Sequence, residues 1–351
     1  MRRVTRRAGA GGALPVLLLL ALGSPADAQA RRFYVDPAGD NRHSGRSPAR
    51  AWRTVGRVNR ASLRPGDEIL LRGRRQYRDA PLSPRASGSR GRRIRYASFG
   101  GGRANVTGGV FLASVAWITI EGLRVRGAAQ GIAASVQGSG ARDILLRDNA
   151  ISGVQIGVNS PSAADRRWRV VGNRITRTGD SGMIVQGPSA AIIRNTIART
   201  GLDPTIPFAK HGIYAKGPDL RIRENRISEF STEGISTRFR NAIISDNVID
   251  GGAGGIGYYR DDPVPGTTVI CGNSIGRVGY GIYIAPAGSA GATLERFRIL
   301  RNVIGAPDGQ GIAVSADRER VETSGNRLVR AAGTVAAPRR PTRCPTSRPS
   351  G

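Results

Sequence analysis

The chain has 351 residues, 39% of them apolar and only 5% aromatic, with 49 glycines and a formal charge of +29 at pH 7. That length allows one large or two small domains, and the small, glycine-rich composition suits thin stacked layers. Two cysteines exclude the disulfide framework of a small secreted domain, and no apolar stretch is long enough to span a bilayer.

Residues 1–30 read as a secretory signal. Arg2, Arg3, Arg6 and Arg7 form a basic start, Leu14 to Leu22 a short apolar run, and Ala28-Gln29-Ala30 a small-residue cleavage site. The mature chain is expected to begin at Arg31 and to be secreted or periplasmic in a bacterium. The signal carries four Arg and one Asp, so the mature charge of +26 is three below the whole. Such a charge attracts polyanions. Arginine supplies 52 of the 54 basic residues, which suits a coding bias as well as a binding task. An acidic polysaccharide partner and a generally basic surface are therefore both open, and export argues against nucleic acid.

Residues 31–100 differ from the repeats on their C-terminal side. Phe33-Tyr34-Val35 reads as a strand, Asp36 to Gly45 as a polar turn, and Thr54 to Ala61 as a short helix capped by Thr54 with Val55 and Val58 inward. Leu63 to Asp67 is a turn and Ile69-Leu70-Leu71 a strand.

From 101 to 330 one phrase recurs: an apolar residue, two more, Asn, one more, then Ile or Leu. Its asparagines are Asn149, Asn173, Asn195, Asn225, Asn247, Asn273, Asn302 and Asn326, spaced by 22 to 30 residues. Thr323 alone replaces the leading apolar residue. A second ladder pairs Gly with an apolar residue, from Gly131-Ile132 through Gly212-Ile213 and Gly234-Ile235 to Gly311-Ile312. A period in the twenties with two strand signals per repeat predicts a solenoid. Stacked asparagines that bond from coil to coil give the Asn ladder a structural role. A solenoid end leaves unpaired strand edges, and residues 31–100 are assigned to cover one as an N-terminal helical cap and first coils. Extra residues fall at Gly201 to Lys210, Asp261 to Gly266 and Pro286 to Ala292. The tail, 331–351, is basic and Pro-rich and is expected to be disordered. A bridge between Cys271 and Cys344 is left open, and a monomer is expected.

The opening Phe33 to Asp40, Ser44-Gly45, Trp52-Arg53-Thr54 and Arg64 to Ile69 resemble the N-terminal segment of secreted right-handed parallel β-helix proteins. The Asn-x-Ile and Gly-Ile coils are similar to the same pectate-lyase-like superfamily. The resemblance implies an all-β, right-handed parallel β-helix, and it is broad in function, spanning polysaccharide lyases, glycosidases, uronate epimerases and members without known activity.

Chemistry concentrates in three neighbouring coils. Both lysines, Lys210 and Lys216, lie beside His211, and five of the eight tyrosines fall between 214 and 283. Counting from each ladder glycine, alternation turns the first and third following residues inward and the second and fourth outward. Lys216, Arg238 and Tyr259 then form one outward column, with Tyr214 beside it and His211 and Glu233 at its edge. Eliminating a 4-linked uronate needs a base for the C5 proton, positive charge on the carboxylate and an acid for the leaving oxygen. Lys216 is the expected base, with a neighbouring cation lowering its pKa. Arg238 would neutralise charge, and Tyr259 or Tyr214 would serve as donor or platform, with His211 the competing base. Tyr214, Lys210, Glu233, Tyr258, Arg260 and Tyr283 are expected to bind substrate. Glu233 opposite His211 reads as a surface ion pair.

The chondroitinase-B-like and alginate-lyase family also uses a Lys with an Arg one coil later, which resembles Lys216 and Arg238. Ala209 and His211 stand where that family places carboxylate calcium ligands, so calcium is left open, with the Asp36 to Gly45 turn a second place for it. The expected function is action on uronate-containing polysaccharide by β-elimination or C5 epimerisation. A non-catalytic glycan-binding or cell-envelope protein is the alternative. A glycosidase pairing Glu233 with Asp261 or Asp262 is third.

Overall fold

The structure is a computed structural model that describes residues 29–135, 140–207, 210–238, 240–259, 265–285, 295–305, 310–315, 320–329 and Cys344. Most of the signal, most of the tail, Arg260, Asp261 and Asp262 lie outside these residues.

Every strand pairs in parallel with the strand one coil away. Each coil gives one strand to a twelve-stranded sheet and the rest to an eighteen-stranded sheet. In the first sheet Ile120, Leu146, Val170, Ile192, Ile222, Ile244, Ile270 and Ile299 stack in register. In the second, Ile132, Val158, Met183, Ile213, Ile235, Ile256, Ile282 and Ile312 do the same. A third stack runs from Val125 through Ile151, Ile175, Ile197, Ile227, Ile249, Ile275 and Ile304 to Leu328. These like-on-like columns are the core, and nearly all of their side chains are buried. Each buried isoleucine is worth about 1.5–3 kcal/mol. The columns are narrow because the Gly ladder brings coils close. A Cβ on Gly212 would sit 2.4 Å from Ile227 Cγ2 and 2.6 Å from the carbonyl oxygen of Gly234.

The asparagine ladder is continuous. Nδ2 of each asparagine donates to Oδ1 of the next at 2.9–3.0 Å, from Asn149 to Asn326. From Asn173 onward each Oδ1 also accepts the backbone N–H of the preceding asparagine, while that of Asn149 accepts the Leu123 N–H, and each Nδ2 reaches a carbonyl of an earlier coil, as Asn225 does to Ile192 at 2.9 Å. The residue before each asparagine has φ between 53° and 68°. That left-handed step turns the chain between sheets, and the buried amide satisfies the backbone groups the turn exposes.

The N-terminal segment contributes the strand Arg32–Val35 to the first sheet, paired with Glu68–Arg72. Its helical content is a 3-10 turn, Pro48–Arg50, and a five-residue helix, Val55–Asn59, whose Arg57 N–H donates to Thr54 Oγ1. Cys271, on the outer side of the first sheet, is disulfide-bonded to Cys344 with Cα atoms 5.9 Å apart. Val269 and Leu300 pack with the bridge. Among the described residues no helix is long and apolar enough to cross a membrane.

Stability should respond to both the ladder and the bridge. Asn225→Ala removes the acceptor of two buried donors, and unmet donors of this kind cost about 1–3 kcal/mol each. The urea midpoint should fall accordingly, whereas an exposed change such as Arg174→Ser should leave it within about 0.5 kcal/mol. Cys344→Ser should cost about 2–4 kcal/mol, read as a lower thermal midpoint that reductant no longer shifts.

Candidate functional site

The outer face of the second sheet carries the column the glycine register predicts. Ile213 pairs with Ile235, Ile256 and Ile282 across four coils, and Tyr214 pairs with Ser236, Gly257 and Tyr283. Two residues on from Tyr214, Lys216 is aligned with Arg238 and Tyr259, all half-buried. Lys216 Nζ lies 5.9 Å and Arg238 Cζ 5.6 Å from the centre of the Tyr214 ring, and Arg238 lies 5.5 Å from that of Tyr259. Arg238 Nε donates to the Tyr214 hydroxyl at 2.9 Å. That oxygen is an acceptor here, so its own hydrogen is available to another group.

Behind this wall Glu233 is the centre. Its Oε1 accepts from the Tyr259 hydroxyl at 2.6 Å and from the Tyr280 hydroxyl at 2.7 Å. Its Oε2 lies 2.6 Å from His211 Nδ1, off the line of a well-formed hydrogen bond, and the same nitrogen is 2.8 Å from the Thr232 hydroxyl. Burial pushes the Glu233 carboxyl up. The His211 contact and the two tyrosine hydroxyls outweigh it and hold the group down at about 2. Burial and Glu233 push Tyr259 up to about 12, and they push Tyr280 up as well. Glu233 is thus a fixed anion between two fixed phenols. Beside an ionised carboxylate, a neutral His211 carrying its proton on Nδ1 would keep its lone pair on Nε2. The His211 ring stacks on Tyr214 at 5.2 Å.

Two glycines allow this convergence. Tyr280 belongs two coils beyond Glu233, with Gly254 between them in register. A Cβ on Gly254 would sit 2.1 Å from Tyr280 Cζ, and one on Gly257 2.7 Å from Tyr259 Cε2. Both tyrosines therefore lie across bare backbone to reach Glu233. Tyr283 closes the wall, edge-on to Tyr259 and Tyr280 at 5.9 Å each.

Several expectations change. Tyr258 is fully buried, edge-on to Phe297 at 4.8 Å. Alternation sends it inward, so it belongs to the core and is withdrawn as a binding residue. His211 and Glu233 are 6% and 8% exposed, so they are not a surface pair. Lys210 donates from Nζ to the Asp203 carbonyl. Tyr280, Thr232, Gly254 and Gly257 join the site although the repeat pattern does not single them out. Arg260 lies outside the described residues. Among the described residues no three His, Cys, Asp or Glu side chains come together. In the N-terminal turn, Asp36 accepts the Ala38 N–H at 3.0 Å and faces Arg72, while Asp40 pairs with Arg42.

Parallel stacked coils with a polar, tyrosine-rich outer wall define a right-handed parallel β-solenoid. The model of the right-handed β-helix region family matches residues 108–264 and, overlapping, 156–328. The chain belongs to this family of right-handed parallel β-helices, and its fold is pectate-lyase-like. Among solved structures it resembles XylC in complex with xylose (11% identity, 82% of this chain and 70% of that one, TM-score 0.63). It also resembles a rhamnogalacturonan lyase (11%, 85% and 87%, TM-score 0.61) and the pectate lyase Pel9A (15%, 85% and 80%, TM-score 0.51). At these identities the likeness is one of fold. No protein with a curated description matches the chain.

The depressed Glu233 carboxyl sets a pH signature. A lowered folded pKa contributes stability above the ordinary carboxyl value of 4.5, and that contribution is lost as pH falls through about 2. Glu233→Gln should therefore be less stable than the native protein at pH 7, by about 2 kcal/mol allowing for partial solvent screening. The gap should close between pH 4.5 and pH 2 in urea unfolding. A gap that stays constant over that range would show that Glu233 is not held as an anion.

Proposed function

We propose that the protein is exported and acts on uronate-containing polysaccharide, removing the C5 proton of a uronate in β-elimination or C5 epimerisation. The observation that carries this reading is the grouping around Tyr214. A carboxylate-partnered histidine stacks on one side of the ring, and two cations, Lys216 and Arg238, flank it. A proton next to a carboxylate becomes removable when the charge that develops on that carboxylate meets fixed positive groups. Lys216 and Arg238 are those groups.

His211 is the base in this arrangement, because Glu233 fixes its tautomer, and Lys216 is its rival. The C5 proton passes to His211 Nε2, and the electron pair spreads into the substrate carboxylate. In elimination the C4–O bond then breaks as the C4=C5 bond forms, and the Tyr214 hydroxyl gives its proton to the leaving oxygen. Arg238 Nε, already bonded to that hydroxyl, holds the resulting phenolate. In epimerisation the C4–O bond survives and Tyr214 returns a proton to the opposite face of C5. Tyr259, Tyr280 and Tyr283 offer ring faces and edges for sugars. The neighbouring β-helix structures include a rhamnogalacturonan lyase and a pectate lyase, which is in keeping with this class of substrate. A glycosidase on Glu233 is not favoured, since its Oε1 already accepts from two tyrosine hydroxyls and the carboxyl, held down at about 2, is a poor proton donor.

The test is incubation with alginate, polygalacturonate and glycosaminoglycans. Ultraviolet absorbance of unsaturated ends reports elimination, and loss of the C5 proton without chain shortening reports epimerisation. His211→Ala should lower the rate by about a hundredfold or more and should be rescued by added imidazole. Rescue of Lys216→Ala by ethylamine instead would make Lys216 the base. Polymer that is retained but unchanged would mark a binding protein and end the enzymatic reading.

A further inference from the structure

We infer that the outer face of the twelve-stranded sheet carries a second binding groove, separate from the tyrosine wall, for a carboxylate-bearing sugar polymer. The groove has a volume of about 800 Å³ and runs beside the corner that leads into the sheet. At this corner Trp117, Asp143, Arg167, Ser189, Asp219 and Asn241 occupy successive coils, each with φ between 55° and 61°. The next outward residues on the strands are Arg169, Ala191 and Arg221, adjacent in register. Alanine between two arginines leaves a gap, with the two arginine backbones about 9.6 Å apart at two coil spacings.

Two of the positive charges around this gap are not neutralised. Arg167 is taken by Asp143, with bonds of 2.7 and 2.6 Å, and Asp219 accepts from Asn241 at 3.1 Å. Arg93 is tied to Thr119 Oγ1 at 3.0 Å and to the Ile118 carbonyl at 2.8 Å, and it lies 5.6 Å over the Trp117 ring. Arg169 and Arg221 are exposed and have no ion-pair partner among the described residues. Three other arginines on the same face are paired: Arg95 with Glu68 and Glu121, Arg147 with Glu121, and Arg298 with Glu322. Unpaired guanidinia over a shallow apolar floor, with Trp117 at one end, fit a ligand with planar anions on an otherwise uncharged ring. Guanidinium takes a carboxylate through two parallel hydrogen bonds. The basic tail of this chain, with Arg339, Arg340 and Arg343, has the wrong charge to fill it.

The groove concerns binding alone, and only its ligand class rests on the function proposed above. Affinity electrophoresis of the full chain in gels containing polygalacturonate or alginate, with neutral dextran as the blank, tests it. Arg169→Ser/Arg221→Ser should weaken retardation by about tenfold or more. The control is Arg174→Ser/Arg226→Ser, which removes equal charge at the same two-coil spacing, across Thr196, on another face. It should bind nearly as the native protein does. Equal loss in both variants would reduce the groove to net charge and overturn the inference. So would unchanged binding in the first variant, or no retardation of the native protein by either polyanion. Turnover lost in His211→Ala with groove binding intact separates the two sites. Groove binding without any turnover would sink the proposed reaction and leave the groove standing.

Discussion

Everything in this molecule depends on a constant coil height, and the buried asparagine ladder is what enforces it. An amide whose oxygen takes two N–H groups from one neighbour and whose nitrogen serves two others has no tolerance for slippage, because a shift of one coil residue leaves buried donors unmet. Like-on-like isoleucine columns supply the bulk of the burial, but they are nearly indifferent to small shifts along the stack. The directional amides supply the register, and the apolar columns supply the cohesion.

That register creates the site. Residues 21 to 47 apart in sequence, such as Thr232 and His211 or Tyr280 and Glu233, become touching neighbours only because their coils stack in phase. The site is also made of omissions. Gly254 and Gly257 occupy outward positions where any side chain would block a tyrosine, so the wall is shaped as much by missing Cβ atoms as by the rings that cross them. The outcome is a charged carboxylate in a largely buried place, tolerated because three side chains converge on it.

Much of this was legible in the amino-acid sequence, for a definite reason. The repeat of Asn149 through Asn326 and the glycine ladder fix both period and phase, so the column of Lys216, Arg238 and Tyr259 could be placed without coordinates. What periodicity reports is the position of each Cα, not the reach of a side chain. Tyr280 was overlooked because it lies two coils from Glu233 by backbone and meets it only through its own length. His211 and Glu233 read as a surface pair because nothing in a linear pattern says that tyrosines fold over them. Tyr258 was a different error, since its place three residues after a ladder glycine already pointed it inward. The pairing of Cys271 with Cys344 lay beyond any local signal, given their sequence separation of 73.

The disulfide has a mechanical consequence. Strands from Ser274 to Leu328 lie inside the covalent loop it closes. Tension applied at the two termini passes from Cys344 directly to Cys271 and bypasses those coils. The terminal turns of an open stack are ordinarily the first to peel, yet here the C-terminal ones are shielded from load, and a stretched molecule gives way from its N-terminal side.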